Sequence, residues 1–237
     1  SFVAMTCAAT FLFSSLESCA TGMCFILFYL SLLRSYQDKR APGIAFYSFA
    51  CLGIASLFFV QILYFVPFLW ILMASNMMAL THRMFWATVL GLVMPYWFAV
   101  GYYVVTNQFD AFIDHFAELA QFEPLLQYEA LDIHRIATFG LVVLLAVIGI
   151  IHYMRNSYQD KIRTRMIFEM FITVDILSFV FIILQPQHFD NLLPIIIVNT
   201  SCLFAHYVAL TRTWLTNVTF IVMCLATLGL TIFNLMP

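Results

Sequence analysis

The residue with the clearest capacity for chemistry is an acid inside a long apolar segment. Asp175 lies near the middle of Met166–Leu184, where a carboxylate in lipid costs at least about 2.5–3.5 kcal/mol on insertion scales. Such a side chain normally faces the interior of a helix bundle, where it pairs with a partner or stays protonated. We therefore predict either a proton or cation site, or a neutral acid that is hydrogen-bonded to a neighbouring helix.

The next apolar segment carries the polar residues that could serve Asp175. Asn199–Ser201 is a polar cluster, and His206 follows it toward the inner end. Glu169 precedes Asp175 by less than two helical turns, at a depth where His206 could reach it. Histidine is the side chain best suited to change charge near neutral pH, although a lone histidine in a helix is more often a packing residue. The predicted substrate or ion path comprises Asp175, Asn199, His206 and Glu169.

A second candidate region is the acidic connection between residues 107 and 135. Apolar residues recur there at three- and four-residue spacing with carboxylates on the opposite face, which predicts an outer amphipathic helix at about 108–121, lying in the membrane interface. Together with His115 the carboxylates could hold a divalent cation or a sugar, although a solvated face is the commoner explanation. General acid–base chemistry would need two of them to converge. The outer acidic region comprises Asp110, Asp114, Glu118, Glu129 and Asp132.

Cofactor and metal chemistry find little support in the residues. His152 and His206 both lie toward the inner ends of their segments, so the pair has the geometry for axial ligation of a haem. A single pair is weak evidence, and no hypothesis drawn from the sequence requires a cofactor. The six cysteines lie in apolar runs without a C-x-x-C pair, so we predict that they pack as small hydrophobic residues and that no metal site is present.

Composition identifies the solvent of this chain as lipid. Hydrophobic residues make up 64% of the 237 residues and charged residues 9%, with a mean hydropathy of +0.97. Soluble domains carry about 45–50% apolar and about 25% charged residues, so this chain could not cover a water-facing surface. A disordered chain, a collagen-like fibre, a disulfide-rich module and a nucleic-acid binder are excluded. We predict an integral membrane protein whose partner is the lipid bilayer.

The apolar runs predict an all-α, polytopic transmembrane bundle that forms one membrane domain over residues 1–237. A spanning helix needs about 17–25 apolar residues. The run Ile44–Leu80 is too long for one crossing and is divided near Gln61, which leaves Pro67 in the first turn of the second helix. Residues from Ser1 onward are expected to end a further, partial span. The eight full spans are Leu16–Leu33, Ile44–Val60, Leu63–Leu80, Met84–Val105, Ile136–Met154, Met166–Leu184, Pro194–Leu210 and Leu215–Leu235.

The basic residues give the orientation. With eight spans, Arg135 lies on one side and the other nine Lys and Arg residues lie on the opposite side. Lys and Arg are retained in cytoplasmic loops, so the basic side is assigned to the cytoplasm of a bacterial cell and the acidic connection to the outside. The same bias supports the division near Gln61, because one crossing fewer would put Arg83 on the wrong side.

An internal echo predicts a duplication. The pentapeptide Ser35–Lys39 recurs identically as Ser157–Lys161 in a second basic loop. Four spans separate the two loops, so residues 16–106 and 136–237 would be parallel repeats, an arrangement that occurs in transporters with the substrate site at the repeat interface. Coincidence between two similar basic loops is the alternative.

The region of residues 30–100 also resembles a known family. The segments Leu33–Tyr36, Phe49–Phe58, Pro67 and Arg83–Tyr96 are similar, in this order, to uncharacterised polytopic inner-membrane proteins of Bacteroidota. That family has no assigned activity, and its members usually carry further spans before this region. The resemblance implies a bacterial inner membrane and transfers no catalytic residue.

Three functions remain as hypotheses. The first is a transporter or translocation component with its polar site in the helix bundle. The second is a membrane-embedded enzyme of envelope glycan or lipid assembly that uses the outer acidic region. The third is a non-catalytic subunit that associates with other membrane-protein subunits. The residues leave open whether the protein is an enzyme.

Overall fold

The computed structural model describes residues 1–120, 132–210 and 214–235, and every regular element in these ranges is helical. The prediction of an all-helical chain is therefore confirmed. Five 3₁₀ turns connect or extend the helices, over Thr10–Ser14, Leu33–Ser35, Val60–Phe65, Ser157–Gln159 and Pro186–His188. The α-helices are α1 (Phe2–Ala8), α2 (Leu16–Leu32), α3 (Pro42–Phe58), α4 (Val66–Ser75), α5 (His82–Val105), α6 (Phe109–Ala120), α7 (Ile133–Asn156), α8 (Ile162–Leu184), α9 (Phe189–Leu210) and α10 (Trp214–Leu235).

Six helical segments in the described part of the chain are long and apolar enough to cross a bilayer. They correspond to six of the eight predicted spans, and the count of eight is not supported. The other two predicted spans are shorter apolar helices, Pro42–Phe58 and Val60–Ser75. The 17 residues of α3 reach only about 26 Å at 1.5 Å per residue, somewhat less than a hydrocarbon core about 30 Å thick. The six long segments are Leu16–Ser35, His82–Val105, Ile133–Gln159, Ile162–Leu184, Pro186–Leu210 and Thr216–Asn234.

The chain nevertheless turns back near Gln61. Helix α3 ends at Phe58, and Phe59 is extended, with φ −141° and ψ 91°. The 3₁₀ turn follows, and α4 then begins with Pro67 in its first turn, where a proline costs least. The N–H of Gln37, before α3, donates to the carbonyl of Met77, after α4, at 3.0 Å. The two ends of this hairpin therefore lie together.

The chain divides into two compact units. We call Ser1–Cys19 with Leu126–Pro237 the terminal unit, and Ala20–Leu125 the central unit. In the central unit α3 packs along α5 with their backbones in contact. A Cβ added at Gly53 would lie 2.6 Å from the Leu92 carbonyl oxygen, and one added at Gly91 would collide with the Phe46 carbonyl oxygen. Close approach of membrane helices needs small residues at the contact, and these two glycines supply it.

Helix α6 occupies the position of the predicted outer amphipathic helix and packs against its neighbours within the central unit. Its Phe116 ring lies 5.1 Å from the Tyr96 ring on α5. His115 Nε2 is 3.1 Å from the Ser56 carbonyl oxygen, and the Tyr64 hydroxyl donates to the Leu119 carbonyl. The histidine that we had grouped with the outer carboxylates therefore turns toward the helix bundle.

In the terminal unit α9 lies in the middle, with α1, α7 and α8 packed around it. Of its most apolar stretch 67% is buried, against 39% or less in the other five long segments. Helix α9 begins at Phe189, before the predicted start at Pro194, so that proline lies inside the helix. Proline has no N–H, so Pro194 cannot donate to the Asp190 carbonyl one turn earlier. The ring is tolerated because it lies near the start of α9, where only this one hydrogen bond is lost.

The structure does not support the predicted repeat of four spans. The main helix pairing is α3 with α5 in the central unit, but α9 with α7 and α8 in the terminal unit. The two copies of the pentapeptide also differ in conformation. Gln37 has a left-handed backbone with φ 58°, whereas Gln159 ends a 3₁₀ turn. Identical local sequences have taken different structures because their tertiary surroundings differ.

Candidate functional site

The acid near the middle of α8 is fully buried in the terminal unit. Asp175 lies on α8 with no exposed surface, and its Oδ2 accepts a hydrogen bond of 3.2 Å from the Thr200 hydroxyl on α9. Its other carboxyl oxygen, Oδ1, has no hydrogen-bond partner among the described residues. The carboxyl group is therefore half satisfied by the surrounding helices.

The amide that precedes Thr200 is also unpartnered. Asn199 is fully buried, and neither its amide nitrogen nor its amide oxygen forms a hydrogen bond within the described part of the chain. The neighbouring hydroxyls do not help, because Ser178 and Ser201 donate to carbonyls of their own helices at 2.8 Å. Each buried unsatisfied polar group costs about 1–3 kcal/mol. Such groups are rare in native proteins and call for a water, an ion or a functional role.

A second polar contact lies toward the end of the terminal unit that carries Arg155, Lys161, Arg163 and Arg165, which we call the basic end. His206 Nε2 on α9 is 3.1 Å from Asp160 Oδ2, and the side chains are 8% and 13% exposed. The atoms are close enough for an ion pair but are not aligned as a hydrogen bond. The ring of His206 packs on Phe168 at 4.4 Å and meets the edge of the His152 ring at 6.2 Å. His206 Nε2 thus lies beside Asp160, and the rings of His206 and His152 meet edge to face.

Asp160 was not among the predicted site residues, and the predicted partner of His206 was Glu169 instead. Glu169 is half-buried on α8 and lies close enough to Tyr153 to interact with it electrostatically. Asp160 belongs to the second copy of the pentapeptide, whose first copy places Asp38 in the open, where it accepts from the Arg40 N–H. The sequence carried no signal that distinguishes the two aspartates.

The opposite end of the terminal unit is closed by a charged clamp. Arg135 at the start of α7 donates through Nε and Nη2 to the two carboxyl oxygens of Asp190 at 2.9 and 2.8 Å. A third bond of 3.0 Å runs from Nη1 to Asp132, and the guanidinium lies 5.6 Å from the centre of the Phe11 ring. We call Arg135, Asp190 and Asp132 the arginine clamp. Bidentate pairing of this kind is the strongest ordinary contact between charged side chains.

A second hydrogen-bond network lies beside the clamp. His134 Nδ1 is 3.1 Å from the Asn234 side-chain oxygen on α10. The Asn234 amide nitrogen donates to the Ala8 carbonyl at 2.6 Å and to the Thr138 hydroxyl at 3.0 Å. One asparagine therefore ties α1, α7 and α10 together at this end.

The other predicted carboxylates belong to different parts of the chain. Asp110, Asp114 and Glu118 are exposed on α6, Asp132 belongs to the arginine clamp, and Glu129 lies outside the described residues. Nowhere in residues 1–120, 132–210 and 214–235 do three His, Cys, Asp or Glu side chains cluster as metal ligands would. The described carboxylates of α6 form a solvated row.

The arginine clamp gives a first testable prediction. We expect Asp190→Asn to lower the free energy of unfolding by about 1–2 kcal/mol, because the bidentate pair loses its charge while both side chains are only partly exposed. Asp132→Asn is the matched control, since Asp132 is 72% exposed and its loss should cost less than about 0.5 kcal/mol. Thermal unfolding in detergent measures both, and equal losses would contradict the assigned geometry.

The chain matches no protein-family model, no curated protein and no solved structure. The architecture itself defines a class. Six apolar helices of membrane-crossing length fit a multi-pass integral membrane protein in contact with lipid. Its buried polar groups with unpartnered atoms among the described residues include the Asp175 carboxyl, which is bonded to Thr200, and the amide of Asn199, the residue before Thr200.

Proposed function

We propose that the protein is a transporter or translocation component of a bacterial inner membrane. Its ion- or substrate-binding centre is formed by Asp175, Thr200 and Asn199. The single observation that carries the proposal is a fully buried carboxyl group in the middle of a helix with one oxygen unpartnered. An acid kept only for packing would have both oxygens hydrogen-bonded, because a buried oxygen without a partner lowers the stability of the fold.

The distribution of polar contacts along α9 supports transport. Asp190 in the arginine clamp, Thr200 at the centre and His206 at the basic end follow one another on this helix. At 1.5 Å per residue, about 15 Å separate the first two and about 9 Å the last two. Polar groups spaced through the depth of a membrane protein commonly mark an ion or substrate pathway.

The chemistry of the centre favours a proton or a small hard cation as the bound ion. A carboxylate, an amide oxygen and a hydroxyl are oxygen ligands, which hard cations prefer. A buried carboxyl group is also a common proton carrier in membrane transport. The enzyme hypothesis has less support, because the described carboxylates of α6 are exposed on the surface of the helix.

Two features support the bacterial inner membrane with the basic end in the cytoplasm. Nine of the ten Lys and Arg residues fall on one side when the two ends of the α3–α4 hairpin, which lie together, are placed on the same side. The resemblance of residues 30–100 to polytopic inner-membrane proteins of Bacteroidota agrees with that location.

The test uses purified protein in proteoliposomes with imposed proton or sodium gradients, read by an internal pH dye and by radioactive sodium. We expect the parent to move one of these ions and Asp175→Asn to lower the rate at least about tenfold, because the ionisable group is lost. Asp114→Asn is the matched control, because Asp114 is exposed on α6 and the change should leave the rate unaltered. If Asp175→Asn moves both ions as the parent does, the proposed function is wrong.

A further inference from the structure

The two ends of the terminal unit are closed with unequal strength. At the clamp end Arg135 makes three hydrogen bonds and lies over the Phe11 ring. Beneath it is an aromatic layer, in which the Phe189 ring lies 5.7 Å from Phe139 and 6.3 Å from Phe11. An opening on this side would have to break charge-assisted bonds and separate packed rings together.

At the basic end α9 makes an apolar contact and a polar contact without hydrogen-bond alignment. Below the Asp175 centre, Leu203 on α9 is buried and is pressed by the α7 backbone at Gly149, where a Cβ would lie 3.0 Å from the Leu203 Cβ. Beyond this apolar contact His206 lies against Asp160 at 3.1 Å, without hydrogen-bond alignment. Nδ1 of both His206 and His152 is buried without a partner among the described residues. The polar contact that α9 makes at this end is therefore weaker than the bidentate pair of Arg135 and Asp190 at the clamp end.

We propose that the contact between Asp160 and His206 is the gate through which the basic end reaches the Asp175 centre, while the arginine clamp holds the opposite end shut. The proposal rests on the proposed function, since it assigns the access route of the same centre. Asp160 lies in the connection between α7 and α8, and His206 lies on α9. Separation of this pair would free the end of α9 from that connection.

The groups around the gate come from each neighbouring element. His152 and Tyr153 on α7 contact the His206 ring at 6.2 Å, and Phe168 on α8 contacts it at 4.4 Å. The Tyr153 hydroxyl donates to the Arg165 carbonyl at 3.0 Å. Asp160 is thus the acidic partner of a ring that is otherwise held by aromatic packing.

The experiment measures access to the centre from each side. Asn199→Cys places a thiol there without loss of a hydrogen bond, because Asn199 makes none among the described residues, and the six native cysteines are replaced by serine or alanine. A charged, membrane-impermeant thiol reagent is applied to vesicles of either orientation. We expect Asp160→Asn to raise the labelling rate from the basic side about tenfold, the effect of losing one contact of ordinary strength.

The chain supplies matched controls. Asp38→Asn changes the same residue of the same pentapeptide at an exposed position and should leave labelling unaltered. Asp160→Glu should restore slow labelling, and Asp190→Asn should raise labelling from the clamp side. An unchanged rate in Asp160→Asn, or an equal increase from both sides, would overturn the gate.

A second measurement avoids the cysteine substitutions. In the otherwise native chain, hydrogen–deuterium exchange of residues 203–210 should be faster in Asp160→Asn than in Asp38→Asn, and equal exchange would count against the gate. Labelling and exchange report access whether or not ions are transported. If Asp175→Asn moves ions as the parent does and the side-specific labelling holds, the proposed function fails and the gate stands. If Asp175→Asn abolishes ion movement and labelling is unchanged in Asp160→Asn, the gate fails alone.

Discussion

Gly91→Ala is expected to lower the free energy of unfolding by at least about 3 kcal/mol, at the upper end of the usual cost of overpacking. The added methyl group would collide with the Phe46 carbonyl oxygen and lie 3.1 Å from the Ala50 backbone nitrogen. Both obstacles are backbone atoms of α3, so no side-chain rotation can relieve the contact. Helices α3 and α5 must instead move apart along the main packing interface of the central unit.

The control lies on the same helix. Gly101 has open space around its added Cβ, and Gly101→Ala should gain up to about 1 kcal/mol from the better helix propensity of alanine. Thermal unfolding in detergent, followed by circular dichroism, measures both variants. A Gly91→Ala protein as stable as Gly101→Ala would show that α3 and α5 do not approach as described.

Asp175→Leu is expected to raise the free energy of unfolding by about 1–3 kcal/mol, even though it removes an ionisable side chain from the candidate centre. The parent leaves one carboxyl oxygen buried without a partner, and an apolar side chain of similar size removes that cost. The Thr200 hydroxyl loses its acceptor but can donate to the carbonyl one turn earlier in α9, as buried Thr residues often do. The same variant should lose ion movement, which would separate function from stability.

At the arginine clamp we expect the same kind of substitution to lower the free energy of unfolding. Asp190→Leu removes an acid whose two oxygens both accept hydrogen bonds from Arg135, so it should destabilise the protein and leave that guanidinium short of its partner. Unfolding of the two variants under identical detergent conditions makes the comparison. If Asp175→Leu loses as much stability as Asp190→Leu, Asp175 is a structural acid and the candidate centre is wrong.

Hydropathy alone was sufficient to place most of the helices. The bounds of α2, α5, α7, α8 and α10 lie within a few residues of the predicted spans, because a bilayer requires a fixed length of uninterrupted apolar helix. The exception is α9, whose start was missed because Pro194 was read as a boundary although it lies inside the helix. Helix α4 is a second exception, because the predicted span Leu63–Leu80 continues beyond Ser75, where the helix ends.

The amino-acid sequence by itself determined the helical class, the positions of the long apolar segments and the presence of an acid in the middle of one of them. These follow from local properties, namely the polarity of each side chain and the rise of a helix. Only the tertiary structure decided the partners, because rotation and approach of helices bring together residues distant in the chain. Arg135 pairs with Asp190, and His206 lies against Asp160, whereas its partner predicted from the sequence was Glu169. In two identical pentapeptides, Asp38 is exposed to solvent and Asp160 lies against His206, because the tertiary surroundings of the two copies differ although their sequences do not.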